Sequence, residues 1–176
     1  MSKPLVIDKP SPHFDSRKGT RIDVVVLHHT GSNNGRADLA WLRGQESGVS
    51  AHYLVDRDGR IYQLVADADR AWHAGRCALR GVVTDMNSRS LGVEIVNDGT
   101  GRTPYTVQQY QALESLVPYL VTTYGVPLEN LVGHKDVAIP AGCKNDPSPN
   151  FDFARIRRVV ASALSSAGQQ ALAAHS

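Results

Sequence analysis

The β-branched run Ile22–Leu27, with the sequence IDVVVL, constrains the fold more than any other part of the chain. Valine and isoleucine favour extended backbone, and a dense apolar run of this length is typical of a buried strand. The run ends at His28-His29-Thr30-Gly31, where a loop rich in glycine, serine and asparagine begins. We therefore expect a sheet in the interior, with histidines at the end of a buried strand.

A hairpin and two further strands follow from local patterns. Asp58-Gly59 separates the strand-like runs 51–57 and 60–65, and it favours a tight turn because glycine accepts positive φ. Residues 91–96, with the sequence LGVEIV, and residues 130–133 indicate the two other strands.

Helical patterns lie between these strands. Residues 36–47 predict a short helix. A longer one begins at Thr106, which forms a capping-box pattern with Gln109. We expect this helix to kink or break at Pro118 and to end at Gly125.

Strands interleaved with helices predict an α/β protein, with one domain built on a mixed β-sheet flanked by helices. A last helix should begin after Asp152, which is a suitable capping residue. We place the domain at residues 21–165, after an extended surface arm at 1–20 and before a frayed C-terminal tail at 166–176.

The composition is that of an ordinary globular domain, with 176 residues, 41% hydrophobic and 20% charged. A formal net charge of +2 is too weak to predict a nucleic-acid partner, and no apolar run is long enough to span a bilayer. The N-terminus lacks the apolar segment of a signal peptide, which predicts a cytoplasmic location at synthesis unless another route exports the chain.

The segment that begins at His134 combines an imidazole, a thiol, an amine and two carboxylates among glycine and proline turn residues. A hydrolytic zinc site needs three protein ligands and an open position, and His28 and His134, each after a predicted strand, supply two. Cys143 and Asp146 are both candidates for the third, and the softness of thiolate favours Cys143. Asp136 is a further candidate, as a ligand or as the partner of an imidazole.

Five segments in this order resemble the N-acetylmuramoyl-L-alanine amidase family, which includes phage lysozyme-type amidases, muropeptide-recycling amidases and peptidoglycan recognition proteins. The resemblance extends over roughly residues 12–160. The segments are VVVLHHTGS at 24–32, AHYLVDRDGRIYQLV at 51–65, AWHAG at 71–75, NSRSLGVEIVN at 87–97, and VGHKDVA with KNDPSPNFD within 132–152.

The resemblance implies a zinc ion bound by His28, His134 and Asp146. The family has a cysteine or an aspartate two residues after a lysine and just before a proline, and the match here is Lys144-Asn145-Asp146-Pro147. It therefore favours Asp146 over Cys143, and an aspartate at this position resembles the recycling-type amidases.

The resemblance also implies two catalytic residues. Glu94 matches the general base of the family members that use a glutamate. Other members use a tyrosine as the base, and the position that corresponds to this tyrosine is occupied by Ala51. Lys144 matches the lysine that stabilises the oxyanion. A carboxylate within an apolar strand is costly unless it is used or paired, which favours a role for Glu94 over a surface ion pair.

Four other residues receive weaker expectations. His73, within AWHAG, is either a substrate-binding residue or a structural loop histidine, and Asn97 is a candidate for substrate binding. His52 is expected to be structural, and Trp72 to lie at the groove edge or in the core.

The predicted reaction is metal-assisted hydrolysis of the amide bond between N-acetylmuramic acid and L-alanine, in peptidoglycan or in soluble muropeptides. A non-catalytic binding module is the first alternative, but all the ligand and catalytic positions hold competent residues. A zinc hydrolase acting on another amide is the second. A recycling enzyme, a phage endolysin and a secreted effector all fit the chain.

Overall fold

The run of valines at 24–26 lies inside a six-stranded sheet, in strand β3 (Val24–His29). The computed structural model describes residues 2–173 of the chain. The other strands are β1 (Ile7–Asp8), β2 (Phe14–Ser16), β4 (Tyr53–Val55), β5 (Ile61–Gln63), β6 (Asp69–Ala71), β7 (Arg76–Leu79), β8 (Val82–Asp85), β9 (Ser90–Ile95) and β10 (Leu131–Gly133). The α-helices are α1 (Gly35–Arg43), α2 (Met86–Arg89), α3 (Val107–Tyr124), α4 (His134–Val137) and α5 (Phe153–Ala173), with a 3-10 turn at Leu128–Asn130.

The main sheet is mixed, as the sequence predicts, and its strand order is β1-β5-β4-β9-β3-β10. Strands β4, β9, β3 and β10 run parallel to one another, whereas β5 is antiparallel to β4. The carboxyl ends of β9, β3 and β10 therefore meet at one edge of the sheet, which is where parallel sheets commonly carry binding sites.

Side chains alternate between the two faces of the sheet, and each face has its own core. Val25 and Leu27 of β3 point to the face covered by α3 and α5, which holds the largest hydrophobic cluster. Val24 and Val26 point to the opposite face, where they pack with Cys77 of β7 and other apolar residues. Because the side chain of His28 continues the series of Val24 and Val26, it belongs to this second face.

Helix α3 forms as its capping pattern predicts. Thr106 accepts from the backbone of Gln109, whose side chain accepts from the backbone of Thr106. The helix ends at Gly125, which has a left-handed conformation with φ of 62°. The predicted break at Pro118 is wrong in one respect, because the helix continues through it to Tyr124.

The hairpin predicted at Asp58-Gly59 joins β4 to β5. Gly59 has a φ of 85°, and a Cβ atom there would lie 2.9 Å from the carbonyl oxygen of Gln108 in α3. Glycine is thus required both by the turn and by the close approach of the helix.

The N-terminal segment is extended from residue 2, where the described part of the chain begins, but it is more than a surface arm. Strand β1 pairs with β5 and β2 pairs with β6. The guanidinium of Arg17 is buried and donates to backbone carbonyls, among them those of Asn87, Ser88 and Ser90. Strands β1 and β2 could not be predicted from the sequence, because two or three residues are too few to show a periodic pattern.

The C-terminal tail predicted at 166–176 also needs correction. Helix α5 continues through Ala173, and residues 174–176 lie outside the described part of the chain. Asp152 caps this helix as expected, through its carboxylate and the backbone of Arg155. Among the described residues, no helix has both the length and the apolar character needed to cross a bilayer.

Candidate metal centre

The register of two parallel strands brings His28 and Glu94 side by side. His28 of β3 pairs with Glu94 of β9, so the two side chains emerge from the same face of the sheet at its carboxyl edge. On the other side of β3, Gly133 of β10 pairs with Leu27. His134 follows Gly133 directly and therefore emerges beside His28.

The third member of the cluster comes from the loop between α4 and α5. Asp146 Oδ2 lies 2.8 Å from His28 Nδ1 and 3.1 Å from His134 Nδ1. All three residues are buried, and one ligand atom from each lies within 4.8 Å of the others. Ligand atoms around a tetrahedral zinc ion lie about 3.3 Å apart, so two imidazoles and a carboxylate fit the donor set of such an ion.

The electrostatics of the cluster suit metal binding. Burial lowers the pKa of the His28 imidazole, although the nearby Asp146 carboxylate opposes this shift, so the ring is held neutral as a ligand must be. Burial acts to raise the pKa of Asp146, but the imidazoles of His134 and His28 beside it hold that pKa well below its usual range. The carboxylate is therefore ionised in the folded protein.

The alternative ligands occupy other positions. Cys143 is exposed on the cavity wall and lies outside the cluster, and both it and Cys77 are free thiols. Burial raises the pKa of the Cys77 thiol to about 11. The carboxylate of Asp136 accepts from the backbone of Gly133 at 2.8 Å, so it caps the short helix α4.

Buried polar groups normally find hydrogen-bond partners, but the Oε2 atom of Glu94 is buried and has none. Burial, with smaller contributions from the charges of Asp146 and Asp38, raises the pKa of Glu94 to about 8. Lys144 opposes the shift. A carboxyl group in this state is suited to proton transfer near neutral pH.

These groups face a cavity of about 490 Å³. Its walls come from the end of β3, helix α1, residues 49–50 and 72–73, Glu94, His134 and the loop 143–146. Lys144 is exposed on this wall. Trp41 of α1 exposes 58% of its surface there, which gives the cavity an aromatic rim.

Unsatisfied polar atoms concentrate in this cavity. Among the described residues, the buried side-chain atoms without a partner are His29 Nδ1, Asp38 Oδ2, Trp72 Nε1 and Glu94 Oε2, and all four residues line the cavity. Asp38 is held in place by the hydroxyl of Ser32, which donates to its other oxygen at 2.6 Å. No sequence pattern distinguishes Asp38 as a functional residue, because an acidic residue in the first turn of a helix is common.

The two predicted substrate-binding residues lie in different settings. His73 lines the cavity, but its Nδ1 lies 3.0 Å from His28 Nε2 and its Nε2 lies 3.0 Å from Ser90 Oγ. Asn97 is buried away from the cavity lining, where its amide bonds to Thr103 and Gly99. Asn97 therefore holds its own loop, which corrects its expected contact with substrate. His52 is buried and accepts from the backbone of Gly92, as a structural histidine should.

Two imidazoles and a carboxylate, open on one side to a cavity that also holds a buried carboxyl group, are the arrangement of metal-dependent hydrolases. The sequence model of the N-acetylmuramoyl-L-alanine amidase family matches residues 18–149. The chain belongs to this family.

Relatives of known activity share most of the chain. It is 34% identical over 169 residues to the 1,6-anhydro-N-acetylmuramyl-L-alanine amidase AmpD of Citrobacter freundii, with 86% of this chain and 88% of that protein covered. It is 33% identical over 170 residues to the N-acetylmuramoyl-L-alanine amidase AmiD of Escherichia coli, with 86% of this chain and 59% of AmiD covered.

Solved structures confirm the α/β fold. A selenomethionine derivative of AmpD superposes with a TM-score of 0.79 at 33% identity, covering 91% of this chain and 99% of that one. AmpDh3 from Pseudomonas aeruginosa, in complex with an anhydromuramic pentapeptide, gives a TM-score of 0.70 at 31% identity, covering 89% of this chain and 66% of that one.

The first prediction concerns the third ligand. Asp146→Ala should lose the bound metal, whereas Cys143→Ser, a change on the same loop and the same cavity wall, should keep one zinc ion per chain. Metal content after dialysis, measured by mass spectrometry, checks both variants. Loss of zinc from the Cys143 variant together with its retention by the Asp146 variant would reverse the assignment.

The second prediction concerns the pH dependence of stability in the metal-free protein. Glu94 ionises near 4.5 in the unfolded chain but near 8 in the folded one, so the folded state retains a proton that the unfolded state has lost. The free energy of unfolding should therefore fall as pH rises from 4.5 to 8, by at most about 1.4 kcal/mol per pH unit for this group.

Glu94→Gln removes this titration, so the variant should gain stability relative to the wild type as pH rises through the same range. Urea unfolding in the presence of chelator, at several pH values, measures the difference. Glu46→Gln, which changes an exposed carboxyl group on another part of the surface, serves as the control. A pH-independent difference between Glu94→Gln and the wild type would contradict the prediction.

Proposed function

We propose that this protein is a zinc-dependent amidase that cleaves the bond between the lactyl group of N-acetylmuramic acid and L-alanine in muropeptides. The observation that carries the proposal is the carboxyl group of Glu94, whose Oε2 atom is buried and unpaired, beside the cluster of His28, His134 and Asp146, in a chain of the amidase family. The activity named for AmpD and the ligand of AmpDh3 favour anhydro-muropeptides as the substrate.

The ligand set assigns the metal. His28, His134 and Asp146 would hold the ion, with the side that faces the cavity left open. Zinc at this position supplies Lewis acidity, which polarises the amide carbonyl and lowers the pKa of the attacking water. The protein's own side chains carry out the remaining steps of the reaction.

Glu94 is the general base. Its carboxyl group faces the cavity with one oxygen unpaired, so it can accept the proton of the attacking water. Its pKa of about 8 in the metal-free protein would fall when a divalent cation binds nearby, and the ionised form needed for catalysis would then dominate at neutral pH. The protonated Glu94 then returns its proton to the leaving nitrogen of L-alanine.

Lys144 supplies a positive charge at the same wall. It precedes Asp146 by two residues, and its charge is close enough to lower the pKa of Glu94. As the amide carbonyl is attacked, its oxygen gains negative charge, and a fixed cation stabilises that charge more than it stabilises the substrate.

The other unpaired atoms of the cavity offer contacts for the rest of the substrate. The indole nitrogen of Trp72 can donate to a carbonyl or hydroxyl oxygen, and Asp38 Oδ2 can accept from an amide or hydroxyl group. The exposed ring of Trp41 is suited to packing against the apolar face of a sugar or a peptide side chain. A muropeptide carries all of these groups on either side of the scissile bond.

The third prediction tests the reaction itself. The zinc-loaded protein should convert an anhydromuramoyl tripeptide into free anhydro-N-acetylmuramic acid and a tripeptide with a new L-alanine amine, both identified by mass spectrometry. It should cleave this soluble substrate faster than intact sacculi. Glu94→Gln should retain zinc and lose activity by roughly a hundredfold or more, the scale of a general base. Cleavage within the peptide instead would refute the proposed specificity.

The fourth prediction separates Lys144 from the ligands. Lys144→Met keeps the apolar stem and removes the charge, so zinc content and KM should change little. The turnover number should fall by about two to three orders of magnitude, the scale of one lost oxyanion donor. Steady-state kinetics with matched zinc assays check this, with Lys135→Met as a control at a half-buried lysine outside the cavity lining. Unchanged turnover at full zinc occupancy would show that Lys144 is only a solvated surface residue.

A further inference from the structure

His28, His73 and Ser90 form a continuous hydrogen-bonded path behind the candidate metal centre. His28 Nε2 lies 3.0 Å from His73 Nδ1, and His73 Nε2 lies 3.0 Å from Ser90 Oγ. Ser90 Oγ in turn lies 2.6 Å from the carbonyl oxygen of Met86. The path begins at a backbone carbonyl and ends at the ring of a candidate ligand.

The carbonyl fixes the direction of every hydrogen bond along this path. A carbonyl oxygen only accepts, so the single hydroxyl proton of Ser90 is donated to Met86. Ser90 Oγ must then accept from His73, which places the proton of the His73 ring on Nε2. Nδ1 of His73 is left with its lone pair, and the bond to it therefore takes the Nε2 proton of His28.

This arrangement determines which ring nitrogen of His28 is available to a metal ion. A neutral imidazole has one proton, so a proton on Nε2 leaves Nδ1, 2.8 Å from Asp146 Oδ2, with a lone pair that is available to a metal ion and with no proton to donate to that carboxylate. We propose that His73 is a positioning residue, which fixes the tautomer and ring orientation of His28 for metal binding through a bond directed by Ser90. This inference rests on the metal site of the proposed function and replaces the expected contact of His73 with substrate.

The surroundings of His73 are built to hold its ring. Asn87 is buried, and its side-chain oxygen accepts from the backbone of residues 73, 74 and 75. The ring lies against Gly92 so closely that a Cβ atom there would be 2.4 Å from its Cγ. Both ring nitrogens are used by the protein, so neither is free to bind substrate. A ring fixed on its face and at both nitrogens can orient a neighbour, whereas a mobile one cannot.

The fifth prediction is tested first on the unaltered protein. In the zinc-loaded protein with ¹⁵N-labelled histidine, two-bond ¹⁵N–¹H correlations should show His73 as the neutral tautomer protonated on Nε2. They should also show His28 protonated on Nε2, with that proton protected from exchange with water. A His73 ring protonated on Nδ1 would overturn the proposal, because that nitrogen could no longer accept from His28.

Zinc affinity, measured by competition with a fluorescent chelator, tests the same bond in variants. His73→Leu removes the acceptor and should weaken zinc binding by roughly 10- to 100-fold, the scale of a lost partner of a ligand. His73→Asn places an oxygen near the former Nδ1 and should recover most of that affinity. Equal loss in both variants would indicate packing alone and would overturn the proposal.

Ser90→Ala tests whether Ser90 sets the direction of the hydrogen bond between His28 and His73. It removes the acceptor of the His73 Nε2 proton while His73 itself remains, so zinc affinity should fall, but less than in His73→Leu. Affinity unchanged from the wild type would contradict the role of Ser90. A wild type that binds no zinc would overturn the proposed function along with this inference, whereas tight binding that is equal in the wild type and His73→Leu would overturn this inference alone.

Discussion

The parallel pairing of β9, β3 and β10 is the constraint on which the candidate site depends. Its register sets His28 opposite Glu94 and ends β10 just before His134, so two ligand candidates and the proposed base come together from segments that are far apart in sequence. A shift of one residue in β3 would turn His28 to the face of α3 and α5 and bring His29 forward. The valines of β3, which alternate between two separate cores, make such a shift costly.

Burial at the end of this sheet has opposite effects on two carboxyl groups. Asp146 lies within 3.1 Å of two imidazole nitrogens and remains ionised, whereas Glu94 has an unpaired oxygen and holds its proton to a pH of about 8. The difference arises from hydrogen bonding, since burial disfavours the charged form of both groups. Two neighbouring carboxyl groups with separated pKa values suit separate roles, one as a ligand and one as a proton carrier. Burial of the Glu94 carboxyl group costs free energy, and this cost accompanies its proposed role in proton transfer. A bound cation would reduce the cost.

Local patterns in the sequence predict five of the six strands of the main sheet, the hairpin and the capped helices α3 and α5, because each depends on neighbours along the chain. The choice of third ligand needed more: thiolate softness favoured Cys143, whereas the resemblance to the amidases favoured Asp146, the residue that the fold brings into the cluster. Asp38 and the true setting of Asn97 could not be predicted, because they depend on which loops pack around the end of the sheet. The structural part of the N-terminal segment was missed for a similar reason, since arginine is usually exposed and nothing local marks Arg17 as buried.

Arg17 connects the N-terminal segment to the residues that support the candidate metal centre. Its guanidinium is charged even though burial lowers its pKa to about 10, and it donates to the carbonyls of Asn87, Ser88 and Ser90. These residues join α2 to β9, and they include Asn87, which holds the backbone of His73, and Ser90, which directs the bond to its ring. Loss of a charged donor would leave these buried carbonyls unpaired at a large cost in free energy. Arg17 therefore holds the N-terminal segment to the junction between α2 and β9. The orientation of His28 thus depends on contacts from residue 17 as well as on its own strand.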